Sequence, residues 1–533
     1  MSSKSVVFIA FLDQPNLGIG YMASILRQHG YSVDVLDVRS GPQPILARVR
    51  ELDPLIIGFS VIFQYYTEEF ARLCSCLRTC GVTSMICAGG HYPSLECQGA
   101  LEAMPGLDCI VRFEGEQTLV ELAHRLSQGQ DWKGLEGLAY REDGGIVSTP
   151  LRPLVADLDS LPFPLRSSFD YACLGVRATS LLASRGCPRA CSFCSIRRFY
   201  SIPPGKVRRT RSPENVLTEM NQLYGEHNVR IFLFQDDDFS LMSARDRQWA
   251  AAFLDGLSRS PLAGKIIWKI SCRADEVEPG IFAAFRTAGL YLVYLGIESG
   301  NPVGLSGLNK GITVAQNLRA VETLKKLGIH YDFGFMLFDP SSAVDTVLEN
   351  VRFLRRICGD GSATASFGKT LPYAGTDLEQ QMRAEGRLRG DVTRPDYSFL
   401  NPRTERWFAY LCEVFHPWVY GGDSLQSQLR WAQFERDVAE HFYPDAPGLA
   451  DHGRRLDFLV GWYNNIFCRI VEDSAEVFKA GLLSVDPALA SIRSAAERQR
   501  AWVEEQLARQ RHQFFTRSGI PLGTVLGGAQ PAA

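Results

Sequence analysis

The chain has 533 residues, 46% of them hydrophobic and 22% charged, with a net charge of -3 and a pI near 6.3. That balance fits a globular chain of roughly three domains and leaves no basic footprint for a nucleic-acid partner. Fourteen scattered cysteines lack the framework of a secreted disulfide scaffold, and the apolar run Val6 to Leu12 is cut by Asp13, too short for a signal peptide. No window approaches the about eighteen apolar residues of a membrane span, so a reducing cytoplasm is the expected compartment.

Residues 1–150 alternate strand-like and helix-like segments. Strands are expected at Ser5 to Ala10, Ser32 to Asp37, Leu55 to Ile62, Ser84 to Ala88 and Asp108 to Arg112, with helices at Gly18 to His29, Thr67 to Arg78 and Gln117 to Leu126. The alternation predicts a doubly wound, Rossmann-like parallel sheet whose ligand lies at the carboxyl ends of the strands. Those ends carry Asp13 to Gly18, Gly58 to Ser60, Gly89-Gly90-His91 and Glu114-Gly115-Glu116. Glycines at such turns let a large ligand reach the backbone, although a ligand-free sheet with ordinary tight turns has them too. Cys74, Cys76 and Cys80 could suggest a second cluster. At about 100° per residue, however, a helix running through Cys80 puts Cys76 and Cys80 on one face and Cys74 away from them, so small packed residues are expected.

Glycines and prolines punctuate Asp131 to Arg177, predicting a small hairpin and then a linker at 151–177. The apolar run Ala178 to Ala183 reads as a strand and leads into Ser184-Arg185-Gly186-Cys187-Pro188-Arg189-Ala190-Cys191-Ser192-Phe193-Cys194. Three thiolates spaced this way can hold three corners of a four-iron, four-sulfur cube and leave one iron open. Structural zinc takes four protein ligands, one more than the loop offers.

Residues 178–385 repeat strand then helix. Further strands are expected at Val229 to Phe234, Ile266 to Ser271, Tyr291 to Ile297, Tyr331 to Leu337 and Ala365 to Lys369, a partial (β/α)6 barrel with functional residues at the strand ends. Those ends carry Gln235, Asp236, Arg273 and Glu298, polar groups able to pair with a ligand's carboxylate, ammonium or hydroxyls, and Tyr373, which could touch substrate or simply be buried. Asp237, Asp238 and Asp339 read as turn and capping residues, and the run Arg197, Arg198, Lys206, Arg208, Arg209 and Arg211 as a solvated loop. Residues 386–533 read as a helical, aromatic-rich domain whose stripes suit a core; it includes a long polar helix from Pro487 to Gln513, capped by Asp486, and a disordered tail.

The loop Cys187-x3-Cys191-x2-Cys194, with Phe193 before its last cysteine, closely resembles the signature of the radical SAM superfamily. The preceding sheet, with its Gly-Gly-His-x-Pro turn and Glu-Gly-Glu segment, resembles the cobalamin-binding domain of one of its large subfamilies. The resemblance implies that Cys187, Cys191 and Cys194 ligate a 4Fe-4S cluster. It further implies that Phe193, Gln235, Asp236, Arg273 and Glu298 hold S-adenosylmethionine, and that Asp13, Gly18, Ser60, Gly89, Gly90, His91 and Glu114 lie against cobalamin. Where histidine-ligating relatives carry Asp-x-His-x-x-Gly, this chain has Asp13, Pro15 and Gly18, so no histidine of that loop can be the axial ligand.

On this resemblance the chain is expected to be a methyltransferase acting on an unactivated carbon, or a phosphorus centre, of a small molecule, with flavodoxin or ferredoxin as external reductant. Radical rearrangement or ring formation is the alternative within the family. An iron-sulfur electron carrier or redox sensor is the alternative outside it, and RNA modification is disfavoured by charge.

Overall fold

Ser5–Ala10 (β1) is buried at all six positions, as expected of a central parallel strand covered on both faces. It pairs in parallel with Ser32–Asp37 (β2) and Ile56–Ser60 (β3), and the sheet continues through Met85–Gly89 (β4) and Cys109–Val111 (β5) in the order β2-β1-β3-β4-β5. Pro42–Leu52 (α2), Thr67–Thr79 (α3) and Cys97–Ala103 (α5) pack on the face carrying Val7, Ile9, Ile57 and Phe59. Leu17–Gln28 (α1) and Glu116–Ser127 (α6) pack on the face carrying Val6, Phe8 and Ala10. A short helix, His91–Leu95 (α4), follows β4. The expected hairpin, Leu138–Glu142 (β6) and Gly145–Ser148 (β7), joins this sheet antiparallel to β5 and covers an edge that would otherwise expose unpaired backbone groups. The computed structural model describes residues 4–12, 16–166, 171–480 and 487–521.

After Ala172–Cys173 (β8) and Val176–Leu181 (β9) comes the cysteine loop. Ser184–Arg185 (β10), paired antiparallel with Arg209–Thr210 (β11), flanks it, and Ser195–Ser201 (α7) follows the last cysteine. Pro213–His227 (α8), Val229–Phe234 (β12), Ala244–Ser258 (α9), Ile267–Arg273 (β13), Pro279–Thr287 (α10), Leu290–Glu298 (β14), Pro302–Gly307 (α11), Val314–Leu327 (α12), His330–Phe335 (β15) and Val344–Cys358 (α13) complete the alternation. The second sheet has the order β15-β14-β13-β12-β9-β8, parallel from β9 to β15 with β8 antiparallel.

The sixth parallel strand expected at Ala365 to Lys369 is corrected: it contributes one bridge, Lys369 to Phe338. Side chains satisfy its backbone instead, since Asn464 Oδ1 accepts from Ala365 N at 2.8 Å and Gln426 Nε2 donates to Ala365 O at 2.9 Å. Asp377–Ala384 (α14) is followed by the hairpin Leu388–Gly390 (β16) and Pro395–Tyr397 (β17), where a helical domain was expected to begin. The helices start at Pro402–Val419 (α15) and continue with Leu425–Phe442 (α16), Leu449–Lys479 (α17) and Pro487–Ser518 (α18). Asp486 and the tail beyond residue 521 lie outside the described residues.

Two compact units result, and neither is contiguous. The first is Met1–Ser168, Leu182–Val216 and Leu371–Tyr397; the second is Phe169–Leu181, Leu217–Thr370 and Ser398–Ala533. Boundaries expected at 150, 177 and 385 follow changes of element type, whereas packing assigns the cysteine loop and segment 371–397 to the N-terminal sheet. Gln64, buried after β3, fixes that segment: its Nε2 donates to Val392 O at 2.8 Å and its Oε1 accepts from Ala374 N at 2.7 Å.

Candidate functional site

In the first unit the cysteine loop leaves β10 through Gly186, whose φ is +82° and where a Cβ would fall 1.9 Å from Val207 O. Only glycine allows that turn. Cys187, Cys191, Phe193 and Cys194 are half-buried, Cys194 N donates to Cys191 O at 3.2 Å, and Leu378 N donates to Ser192 O at 2.9 Å. Three half-exposed thiols on one glycine-hinged, hydrogen-bonded loop fit a cube with an open corner. Among the described residues no three His, Cys, Asp or Glu side chains gather as they would around one ion. A cube carries its thiolates on different irons, so they need not meet at one point.

The residue before Gly186 anchors this loop. Arg185 Nη1 lies 3.0 Å from Glu114 Oε1 and 2.8 Å from Glu116 Oε1, and its guanidinium lies over the Tyr21 ring at 4.8 Å. Arg209, its β11 partner, reaches Glu114 Oε2 at 2.8 Å, and Val155 N donates to Glu114 Oε2 at 2.7 Å. Burial pushes the Glu114 carboxyl up, but Arg185 and the hydrogen bond from Arg209 outweigh it and hold the group below its ordinary value. Both Glu114 oxygens accept hydrogen bonds, and the carboxylate, expected to lie against cobalamin, ties the sheet to the cysteine loop. The basic run is corrected, because Arg209 and Arg211 are 5% and 3% exposed. Arg211 Nε donates to Asn215 Oδ1 at 2.6 Å and its Nη1 to Leu182 O at 2.7 Å.

The order in which strands are added to the first sheet reverses between β1 and β3, the switch point where ligands bind in such folds. Asp13 lies outside the described residues. Asn16 caps α1 by accepting from Ile19 N at 3.1 Å and spans the switch point by donating to Ser60 Oγ at 3.3 Å; Gly18 is exposed in the first turn of α1. Gly89, opposite Ser60 in the ladder, accepts from Val61 N at 2.8 Å. Gly90 has φ +110°, and a Cβ there would fall 2.6 Å from Val61 O. Half-buried His91 meets Phe199 edge-on at 4.4 Å, and burial pushes its imidazole down to about 4, so it is neutral at physiological pH. Ile62, Phe63 and Tyr65 stay 39%, 38% and 36% exposed after β3. An apolar shelf beside a glycine turn suits a flat macrocycle. Tyr373 joins this shelf, its ring 6.3 Å from Phe63, and burial raises its hydroxyl above the ordinary value.

In the second unit the expected cofactor residues stand at the carboxyl ends of adjacent strands. Gln235 N donates to Leu181 O at 2.8 Å, which registers the end of β12 against β9, and Asp236 is buried. Buried Arg273 pairs with Asp275, Nε to Oδ1 at 2.9 Å, and Glu298 accepts from Lys310 Nζ at 3.1 Å. Glu298 has φ +65°, costing about 1–3 kcal/mol for a non-glycine residue. Asn350 holds the turn that follows, its Oδ1 accepting from Gly300 N at 2.7 Å and Asn301 Nδ2 at 3.0 Å. Asp339 makes the expected turn, accepting from Ser341 N at 2.8 Å.

Sequence reasoning missed the partners: Arg185 for Glu114, Lys310 for Glu298, and the charges within the second sheet. Lys269, in the otherwise apolar Ile266-Ile267-Trp268-Lys269-Ile270, was the visible signal of the last.

The B12 binding domain family matches residues 4–123 and the Radical SAM superfamily residues 181–354. An uncharacterized methyltransferase of Pyrococcus horikoshii is 31% identical over 384 residues, which is 70% of this chain and 80% of that one. The anaerobic magnesium-protoporphyrin IX monomethyl ester cyclase of Cereibacter sphaeroides is 27% identical over 403 residues, which is 73% of this chain and 63% of that one. Among solved structures, the cobalamin-dependent S-adenosylmethionine radical enzyme OxsB superposes with a TM-score of 0.69 at 19% identity, covering 97% of this chain and 81% of that one, and so shares the fold.

Proposed function

Because the chain belongs to the cobalamin-binding radical SAM family, with a 4Fe-4S cluster, S-adenosylmethionine and cobalamin as its cofactors, we propose that it methylates an unactivated carbon, or a phosphorus centre, of a small molecule. When bound, the cluster and S-adenosylmethionine supply a hydrogen-abstracting radical and cobalamin carries the methyl group. The observation that carries the reading is the joining of the cysteine loop and the cobalamin-type sheet in one compact unit, with Glu114 of that sheet paired to the residue two before Cys187.

In this reading Cys187, Cys191 and Cys194 supply the thiolates, and Gly186 lets the loop turn. Phe193 shields the cluster. Gln235, Asp236, Arg273 and Glu298 hold the amino-acid and ribose parts of S-adenosylmethionine, with Asp275 and Lys310 fixing the Arg273 and Glu298 side chains. Gly18, Ser60, Gly89, Gly90 and His91 line the cobalamin site, and Tyr373 faces it from segment 371–397. A flavodoxin or ferredoxin supplies electrons. Among the described residues no helix is long and apolar enough to cross a membrane, which fits a cytoplasmic enzyme.

The test is anaerobic turnover with methyl-deuterated S-adenosylmethionine, a low-potential reductant and candidate biosynthetic intermediates, read by mass spectrometry. A product carrying the deuterated methyl group supports the reading. Release of 5'-deoxyadenosine with an isomerised or ring-closed product and no label would overturn methyl transfer in favour of rearrangement or cyclisation, the reading that the cyclase relative favours.

A further inference from the structure

The second sheet encloses charges that the reading above leaves without a task. In β13, β14 and β15 the outward residues, such as Ile270, Val293 and Phe333, are no more than 1% exposed, while the alternate residues Lys269, Ser271, Tyr294, Gly296, Asp332 and Gly334 keep accessible surface. The inner face of these three strands is therefore less tightly covered than the outer one. Ser271, Tyr294 and Asp332 face each other in one register row across the three strands. Lys269 Nζ donates to Ser271 Oγ at 3.0 Å and lies 5.8 Å from the centre of the Tyr294 ring. From α16, Arg430 Nη2 comes within 3.1 Å of Asp332 Oδ1. That helix holds Arg430 in place, because Gln426 on the same face donates to Ala365 O and Gln433 Oε1 accepts from Thr364 Oγ1 at 3.0 Å.

Arg430 is ion-paired to Asp332, whose field, with that of Asp236, also reaches Lys269. Of the other acids nearby, Asp236 stands at the strand end and Glu298 is taken by Lys310. Arg430 Nε is buried without a hydrogen bond among the described residues, and Tyr294, beside Asp332 in the ladder, keeps accessible surface. A cation held away from water with incomplete hydrogen bonding is costly, and a negative charge entering beside Lys269 and Arg430 would reduce that cost.

We propose that Lys269, Tyr294 and Arg430 form a subsite that grips a singly charged oxyanion, a carboxylate or a phosphodiester, on the substrate. Calling that oxyanion part of a substrate rests on the radical-enzyme reading; the binding itself does not. Burial lowers the Lys269 ammonium to about 8 despite Asp332 and Asp236, as expected of a cation short of acceptors.

The test uses the full chain with its cluster reconstituted, with acetate and dimethyl phosphate as probes. Trace acetic-anhydride labelling with peptide mass spectrometry follows the titration of Lys269, and calorimetry follows binding. Expected are a Lys269 midpoint near pH 8 that rises when either probe is added, and dissociation constants about tenfold weaker in Arg430→Met and in the near-isosteric Tyr294→Phe. The tighter probe tells carboxylate from phosphodiester. A midpoint that neither probe moves, or an affinity that both variants leave unchanged, would overturn the subsite. The same wild-type preparation is assayed for 5'-deoxyadenosine on reduction: its absence counts against the radical reading alone, and its presence without an anion response counts against the subsite alone.

Discussion

The two buried ionic clusters differ in a way that separates architecture from chemistry. In the first unit Arg185 and Arg209 face Glu114 and Glu116, so formal charges balance, although Arg209 Nε and Nη2 are buried without a hydrogen bond among the described residues. In the second unit Arg430 pairs with Asp332, and Lys269, bonded to Ser271, feels Asp332 and Asp236. A closed network fixes one geometry, since breaking any member leaves a charge buried without a partner. An open one is ready for a ligand. Balanced formal charge at the Glu-Gly-Glu turn shows that a polar strand end can serve architecture, and an excess of cations deeper in a sheet that a site can lie away from the strand ends.

The largest effect that would break this contrast comes from the cysteine loop. Alanine at Cys187, Cys191 or Cys194 is expected to reduce iron content and 5'-deoxyadenosine release to background, read by iron assay and chromatography. Next comes the closed network. Glu114→Gln leaves two guanidinium groups short of a carboxylate and should cost about 3–5 kcal/mol of unfolding free energy in urea titration. The pH dependence has a definite sign. Because the folded carboxyl lies below its ordinary 4.5, the stability it adds is complete above that value and is lost as the pH falls through the lowered one. Glu114→Gln should therefore flatten the acid limb of the stability profile, and an unchanged limb would show that the network does not carry it.

Gly90→Ala forces a side chain into a left-handed turn against Val61 O, at a cost of about 1–3 kcal/mol, and should release cobalamin during gel filtration. A smaller effect sharpens the other half of the comparison. Asp332→Asn removes the one acid shared by the lumen cations and should move the Lys269 midpoint below about 8, read by the same labelling. Least of all, Arg509→Ala, which breaks an exposed pair with Glu505 on α18, should change stability by no more than about 0.5 kcal/mol.

Much of the fold was legible because its signals are local. The apolar runs of β1, β3 and β4 and the glycine punctuation placed the first sheet almost residue for residue. Spacing set Cys74 apart from Cys76 and Cys80: α3 ends one residue before Cys80, which caps it, and Cys74 is buried while the other two are half-buried. Illegible were the features decided by partners distant in the chain. Arg209 looked like part of a solvated basic stretch and Arg185 drew no reading of its own until Glu114 closed on them across 95 and 71 residues. The strand expected at Ala365 lost its ladder to Asn464 and Gln426, which no local pattern announces.

The sequence by itself determined the kind of chemistry: thiol spacing, glycine turns and strand periodicity are short-range properties of neighbouring residues, and they carry the family with them. Only the tertiary structure decided which charges are satisfied and which remain available. Compensation of a buried charge depends on groups brought together from far along the chain, and the Coulomb energy depends on separation in space rather than in sequence.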